Sequence, residues 1–198
     1  MGAKAVVNSN NISGLIERTL NYVDSRLVDH GKRVASLVYG MLEVQKKYSA
    51  KEVQDICILA MLHDIGAYKT EEINRMAQFE SDDIWEHSIY GYLFLADLSP
   101  LKEWARAVMF HHVAAVHLPD ILEERIREAA QMICLADRID IYLQENKDPE
   151  KLFLYLDRVR GSKFDSSILD LFYKAEEQFS MLACLEEELS LIHISEPT

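Results

Sequence analysis

Glycine and proline are scarce in this chain, at 7 and 4 of 198 residues. An all-β fold needs many turns, and turns draw heavily on these two residues, so the shortage points to a mostly helical fold. A clustered run of Lys and Arg is also missing, and the net charge is −12. Surfaces that bind polyanions carry a basic footprint, which argues against a nucleic-acid polymer or an anionic membrane as partner. A small phosphate substrate stays open, because bound cations can supply positive charge locally. The 3 cysteines, Cys57, Cys134 and Cys184, stand alone in apolar helical surroundings without a CxxC. They read as buried free thiols in a reducing compartment. No apolar run approaches the length of a membrane span, and the N-terminal stretch lacks a signal peptide's charged-then-apolar layout. The expected location is the cytoplasm.

What is present is an ordinary globular composition, 49% apolar and 27% charged, at a length that suits one domain with a real core. We expect that domain over residues 1–188. The tail 189–198 continues no amphipathic pattern, contains Pro197 and resembles a translated sequencing adaptor; His193 is therefore set aside.

Helical spacing of apolar residues starts at Ile12 and runs through Leu15, Ile16, Leu20 and Val23. A second helix is expected over Leu27 to Gln45, with Val28, Val34, Leu37, Val38 and Leu42 inward. Ser49 and Glu52 have the spacing of a capping box, opening a helix that should end near Gly66 with His63-Asp64 in its last turn. Thr70 can cap a short helix, and Ser81 a longer one that carries His87 to about Leu98. Ser99-Pro100 should restart a helix leading to His111-His112. After a loop from Val113 to Pro119, Asp120 and Glu123 suit the start of a long helix to about Leu143 that carries Asp137. Asp148-Pro149 opens another helix that Gly161 closes, and Asp165 or Ser166 begins the last. No internal repeat or linker is evident.

Five of the 7 histidines fall in a spaced series with two aspartates: His30, His63-Asp64, His87, His111-His112 and Asp137. Taken singly, each histidine is an ordinary core or surface residue, so the argument rests on the set. Imidazole and carboxylate are preferred ligands of divalent Fe, Mn, Zn and Ni. Seven such groups exceed the needs of one ion and suit two that share a bridging carboxylate, a common arrangement for cutting phosphate esters. Neighbours on a helix point roughly 100° apart, so adjacent His-Asp and His-His pairs reach one site only at a fraying end or around two metals. Asp137 lies among inward-facing Leu135, Ala136 and Ile139, where a carboxylate is costly to bury without a cation.

These residues resemble the HD-domain metal-dependent phosphohydrolases: His30 in VDHGKRVASL, HDIG at His63–Gly66, and the distant aspartate of LADRID. His87 in EHSIYGYLFL, His111-His112 in FHH and the late segment RGSKFDSSILDLFYKA resemble the HD-GYP branch, whose members hydrolyse cyclic di-GMP at a two- or three-metal site. The resemblance covers roughly residues 25–180. It implies an all-α HD-domain bundle with a dinuclear centre, Fe or Mn the favoured ions. One metal would sit on His30, His63, Asp64 and Asp137, the other on Asp64, His87, His111 and His112. His63 and Asp64 would be the catalytic pair, with a metal-activated water attacking phosphorus.

The chain departs from the branch at three places. The lysine that follows HDIG in the family, thought to contact substrate phosphate, is Ala67, with Lys69 two residues late. The glutamate of three-metal members, four residues before the first histidine, is Arg26, which favours two metals. The segment that should read HHE and then Gly-Tyr-Pro reads HHVAAVHLPD. His117 in that loop, Lys69 and Arg138 are candidate substrate contacts. His117 is otherwise an exposed loop residue, and Arg138 otherwise pairs with Asp140. Tyr90 and Tyr92, a turn past His87, read as core.

The sequence therefore predicts a metal-dependent phosphodiesterase acting on a cyclic dinucleotide or a related nucleotide. The alternative is a catalytically degenerate binding or regulatory module; nothing selects the oxygen-activating di-iron chemistry of some HD proteins. Expected partners are a small nucleotide substrate, with a regulatory protein or a second copy supplying control in place of an attached sensor domain.

Overall fold

The structure, a computed structural model, describes residues 25–67, 85–146 and 148–185. The helix expected from Ile12, the caps at Thr70 and Ser81, Lys69 and the 189–198 tail lie outside the described residues, as does the Arg26 side chain. The protein is all-α. Its helices are α1 (Ser25–Gln45), α2 (Ala50–Met61), α3 (Trp85–Leu98), α4 (Ala105–Phe110), α5 (Glu124–Asn146), α6 (Pro149–Arg158) and α7 (Ser166–Phe179), with a 3-10 turn at Ala115–His117. Among the described residues there is no strand, only an isolated bridge between Arg160 and Phe164. No described helix is long and apolar enough to cross a membrane.

The centre of the bundle is α5, where every residue from Ala129 to Leu143 is buried. A helix sealed on all sides belongs to the core, and its polar members Gln131, Asp137, Arg138 and Asp140 must find partners there. Helix α1 packs on α2, α5 and α7, while α4 joins α3 to α5. The inward stripe of α1 is the expected one, with Val28, Val34, Leu37, Val38 and Leu42 all buried, and Met41 beside them.

Local signals account for most boundaries. Ser49 and Glu52 form the full capping box at the start of α2. Asp148 caps α6 by accepting from the Lys151 amide, and Asp165 caps α7 by accepting from Ser167.

Several expectations are corrected. Helix α2 stops at Met61, so His63 and Asp64 lie in the turn that follows it (residues 62–66) and not in its last helical turn. Gly66 is not a left-handed stop; among described glycines only Gly161 has positive φ. Its role is close approach, because a Cβ at Gly66 would lie 2.0 Å from the His87 carbonyl oxygen. Gly31 does the same beside His30, where a Cβ would lie 2.3 Å from the Met61 carbonyl oxygen. Pro100 opens a turn, and α4 begins only at Ala105. Ser99 spans the junction, its hydroxyl donating to the Leu95 carbonyl (2.7 Å) and accepting from the Leu101 amide (3.1 Å).

Tyr90 is exposed and Tyr92 half-buried, so only the second is packed against the core. Tyr90 shares an exposed apolar face of α3 with Ile89, Leu93, Phe94 and Leu98. The helix is apolar nearly all round, so the sequence offered no polar face to show which side looks outward. Of the cysteines, Cys134 is buried, Cys57 is half-buried and Cys184 is exposed, against the expectation that all three are covered.

Candidate metal centre

Five elements deliver side chains to one place beside α5: α1 brings His30, the turn after α2 brings His63 and Asp64, α3 brings His87, the end of α4 brings His111 and His112, and α5 brings Asp137. They form two groups, Asp64 with His87, His111 and His112, and His30 with His63 and Asp137. Within each group one ligand atom per residue lies within 4.8 Å of the others.

Asp64 stands between the groups. Its Oδ2 is 3.2 Å from His63 Nε2 and 3.5 Å from His30 Nε2, while its Oδ1 is 3.4 Å from His87 Nε2 and 3.6 Å from His111 Nε2. Asp137 spans a similar divide, with Oδ1 at 3.3 Å from His30 Nε2 and Oδ2 at 3.8 Å from His112 Nδ1. The rings are in turn held from behind. His63 Nδ1 donates to the Ala60 carbonyl (2.7 Å) and His111 Nδ1 to the Val108 carbonyl (2.5 Å). Both histidines follow a helix end, where the last carbonyls lack an intrahelical partner. With the proton held at Nδ1, Nε2 is left as the donor atom that faces inward.

The charges within this pocket are strongly biased. Burial alone would push Asp64 and Asp137 up, but His63, His111 and His87 hold Asp64 well below the usual carboxylate range, and His30 and His63 do so for Asp137. Burial works against protonation of His30, yet hydrogen bonds to Asp137 and Asp140 raise it to about 9. Burial and the neighbouring imidazoles push His87 down to about 4 and His112 down as well.

Among the described residues, His63 Nε2, Asp64 Oδ1, His111 Nε2, His112 Nδ1 and Asp137 Oδ2 are buried and find no hydrogen-bond partner. Buried polar atoms are nearly always paired, and five orphans turned to one locus are what divalent cations would satisfy. The donor set of imidazole and carboxylate, with His112 and Asp137 linking the groups, fits such ions.

The other candidates fare differently. Arg138 is buried next to the cluster, its Nε 3.8 Å from Asp137 Oδ2 and its Nη1 without a hydrogen-bond partner among the described residues. It does not pair with Asp140. That carboxylate is taken by Arg33 (Nε–Oδ1 2.6 Å, Nη2–Oδ2 3.0 Å) and by His30 Nδ1 (2.7 Å). His117 is exposed on the 3-10 turn and belongs to neither group. Its loop is nevertheless pinned. Ala115 and Val116 amides donate to the Lys163 and Ser162 carbonyls (2.9 and 3.2 Å), and Gln131 donates to the Val113 carbonyl (2.9 Å) while accepting from the Asp165 amide (3.0 Å). Arg33 and Gln131 were not singled out from the sequence, and Asp140 only as a partner for Arg138. A usable signal existed for two of them: Arg33 follows His30, and Asp140 follows Asp137, by three residues, which on a helix is the same face.

The fold and this cluster define an HD-domain protein: residues 27–142 match the HD domain family, and the chain belongs to it. Among curated proteins it is similar to the 3'3'-cGAMP-specific phosphodiesterase 1 of Vibrio cholerae serotype O1, with 27% identity over 167 residues. The match takes in 78% of this chain but 38% of that relative, so the chain spans well under half of its length. No solved structure matches the chain.

Proposed function

We propose that this chain is a metal-dependent phosphodiesterase that hydrolyses a cyclic dinucleotide, of the cyclic di-GMP or cyclic GMP-AMP kind, or a related nucleotide phosphoester. The observation that carries the reading is Asp64, one carboxylate oxygen turned to each half of the histidine cluster. The substrate class is supported by the Vibrio relative, whose name specifies a cyclic dinucleotide. His30, His63 and Asp137 would hold one divalent ion and His87, His111 and His112 the other, Asp64 bridging, with Fe or Mn suited to this His-rich set. When bound, such a pair supplies an acidified water and positive charge for the phosphoryl oxygens.

The chain's own residues do the rest. The backbone carbonyls of Ala60 and Val108 fix the inward nitrogens of His63 and His111. Arg138 offers its unpartnered Nη1 to a non-bridging phosphate oxygen. Lys69 and His117 are the remaining candidate phosphate contacts.

The test is hydrolysis of cyclic di-GMP and of 3'3'-cGAMP by anaerobically purified protein loaded with Fe(II) or Mn(II). Turnover should vanish in Asp64→Ala, which should also lose metal while keeping its helical circular dichroism. Hydrolysis undiminished by Asp64→Ala would overturn the two-metal reading.

A second reading has its own observation. Ala67, buried, stands where the family resemblance places a substrate lysine. A module that binds metal and cyclic dinucleotide without cleaving it fits that loss, and metal-loaded protein that binds but does not turn over would select it.

A further inference from the structure

His63 and His111 owe their ring orientation to backbone carbonyls freed at helix ends. His30 has no such recourse. It lies within α1, where the carbonyls a turn before it serve the helix's own ladder. Its Nδ1 faces a side chain instead: Asp140 Oδ2, at 2.7 Å, from a residue 110 positions away. That carboxylate is itself gripped through both oxygens by the Arg33 guanidinium, at 2.6 and 3.0 Å. Asp140 and Arg33 are both buried.

We propose that the Arg33–Asp140 pair is a positioning device for His30, holding the imidazole proton on Nδ1 so that Nε2 is presented to the metal. The inference rests on the metal-centre reading above. A neutral imidazole carries one proton and one lone pair, and a ligating ring needs the lone pair on the inward nitrogen. A carboxylate at Nδ1 can only accept, so it admits the tautomer with Nδ1–H and excludes the other. Arg33 keeps that carboxylate from turning, since its planar fork occupies Oδ1 and Oδ2 together. The geometry is a ladder between two helices: His30 and Arg33 on α1, Asp137 and Asp140 on α5, with His30 Nε2 3.3 Å from Asp137 and Nδ1 2.7 Å from Asp140. One face of the ring thus meets a candidate ligand and the other its support.

A purely structural ion pair between α1 and α5 would hold the helices together without setting the ring's tautomer, and this difference is measurable. The 198-residue chain is titrated with Zn(II), a diamagnetic probe, against a competing chelator, and histidine ring nitrogens are read by long-range 1H–15N spectra. In wild type, His30 should show Nδ1–H with Nε2 bound. In Asp140→Asn, the metal equivalent held by His30 should weaken about 10- to 100-fold, the other equivalent should stay as it was, and His30 should lose its single tautomer. Arg33→Lys, which keeps the charge but not the fork, should give a smaller loss of the same equivalent, and it carries the test if Asp140→Asn does not fold. Unchanged Zn(II) affinity with His30 still protonated at Nδ1 would overturn the positioning role alone, as would equal weakening of both equivalents. Wild-type protein that binds no Zn(II) would overturn the metal centre and this inference with it.

Discussion

Gly66 and the carbonyl of His87 are so close that a methyl group on Gly66 would lie 2.0 Å from that oxygen. The turn bearing His63 and Asp64 therefore rests directly on the backbone of the helix bearing His87. Gly66→Ala should force the two apart, separating Asp64 Oδ1 from His87 Nε2, and should destabilise the fold by about 1–3 kcal/mol, as overpacking does. Urea unfolding and metal content would both register it. Wild-type values for both would mean that the turn yields without disturbing the site.

Arg138 offers a different kind of test because its Nη1 has no hydrogen-bond partner among the described residues. Arg138→Gln should leave metal content intact and raise KM for the dinucleotide by about 10-fold or more, the worth of a hydrogen bond to a charged group. Steady-state kinetics at fixed metal loading would show the split. A change confined to stability, with KM unmoved, would assign the guanidinium to holding Asp137.

Chelation should soften the protein. Candidate ligand atoms of Asp64, Asp137, His63, His111 and His112 are buried without hydrogen-bond partners among the described residues, so bound ions would stabilise the folded state selectively. At 100 times Kd, that linkage is worth about 2.7 kcal/mol, which corresponds to roughly 5–10 °C in Tm for a chain of this size. Differential scanning calorimetry with and without EDTA, followed by Mn(II) add-back, checks it. A Tm indifferent to both would argue against a resident metal.

The thiols should divide in their reactivity. Burial pushes Cys57 and Cys134 up to about 12, while Cys184 is exposed. Since the thiolate is the reactive form, a maleimide at neutral pH should label Cys184 first and the other two only on unfolding. Mass spectrometry of timed labelling would resolve the order; fast labelling of Cys134 would contradict the packing around α5.

The sequence was most legible where one local signal decides the outcome. The stripe of α1, the Ser49–Glu52 box and the Asp148-Pro149 start each follow from neighbours in the chain. The seven histidine and aspartate candidates were legible as a set because their residue types are unusual together. The less legible features depend on what arrives from elsewhere. Gly66 looks like a helix stop until α3 is laid against it, and Tyr90 looks inward until the rest of the bundle shows which side of α3 is covered. Arg138 beside Asp140 suggested a pair, but Asp140 is claimed by two residues of α1 more than a hundred positions earlier. The nearest charge in sequence lost to the nearest in space.

The reach from His30 to Asp140 also bears on how such a centre is born. During synthesis at about 5–20 residues per second, the 110 positions between them take roughly 5–20 s to emerge. By the end of that interval His30, His63, His87, His111 and His112 have all been made, while the helix that completes their surroundings is still being synthesised. A full set of ligands can close only once α5 has been made and has docked. Any divalent ion held there would therefore be enclosed only after α5 is in place, late in the chain's own assembly.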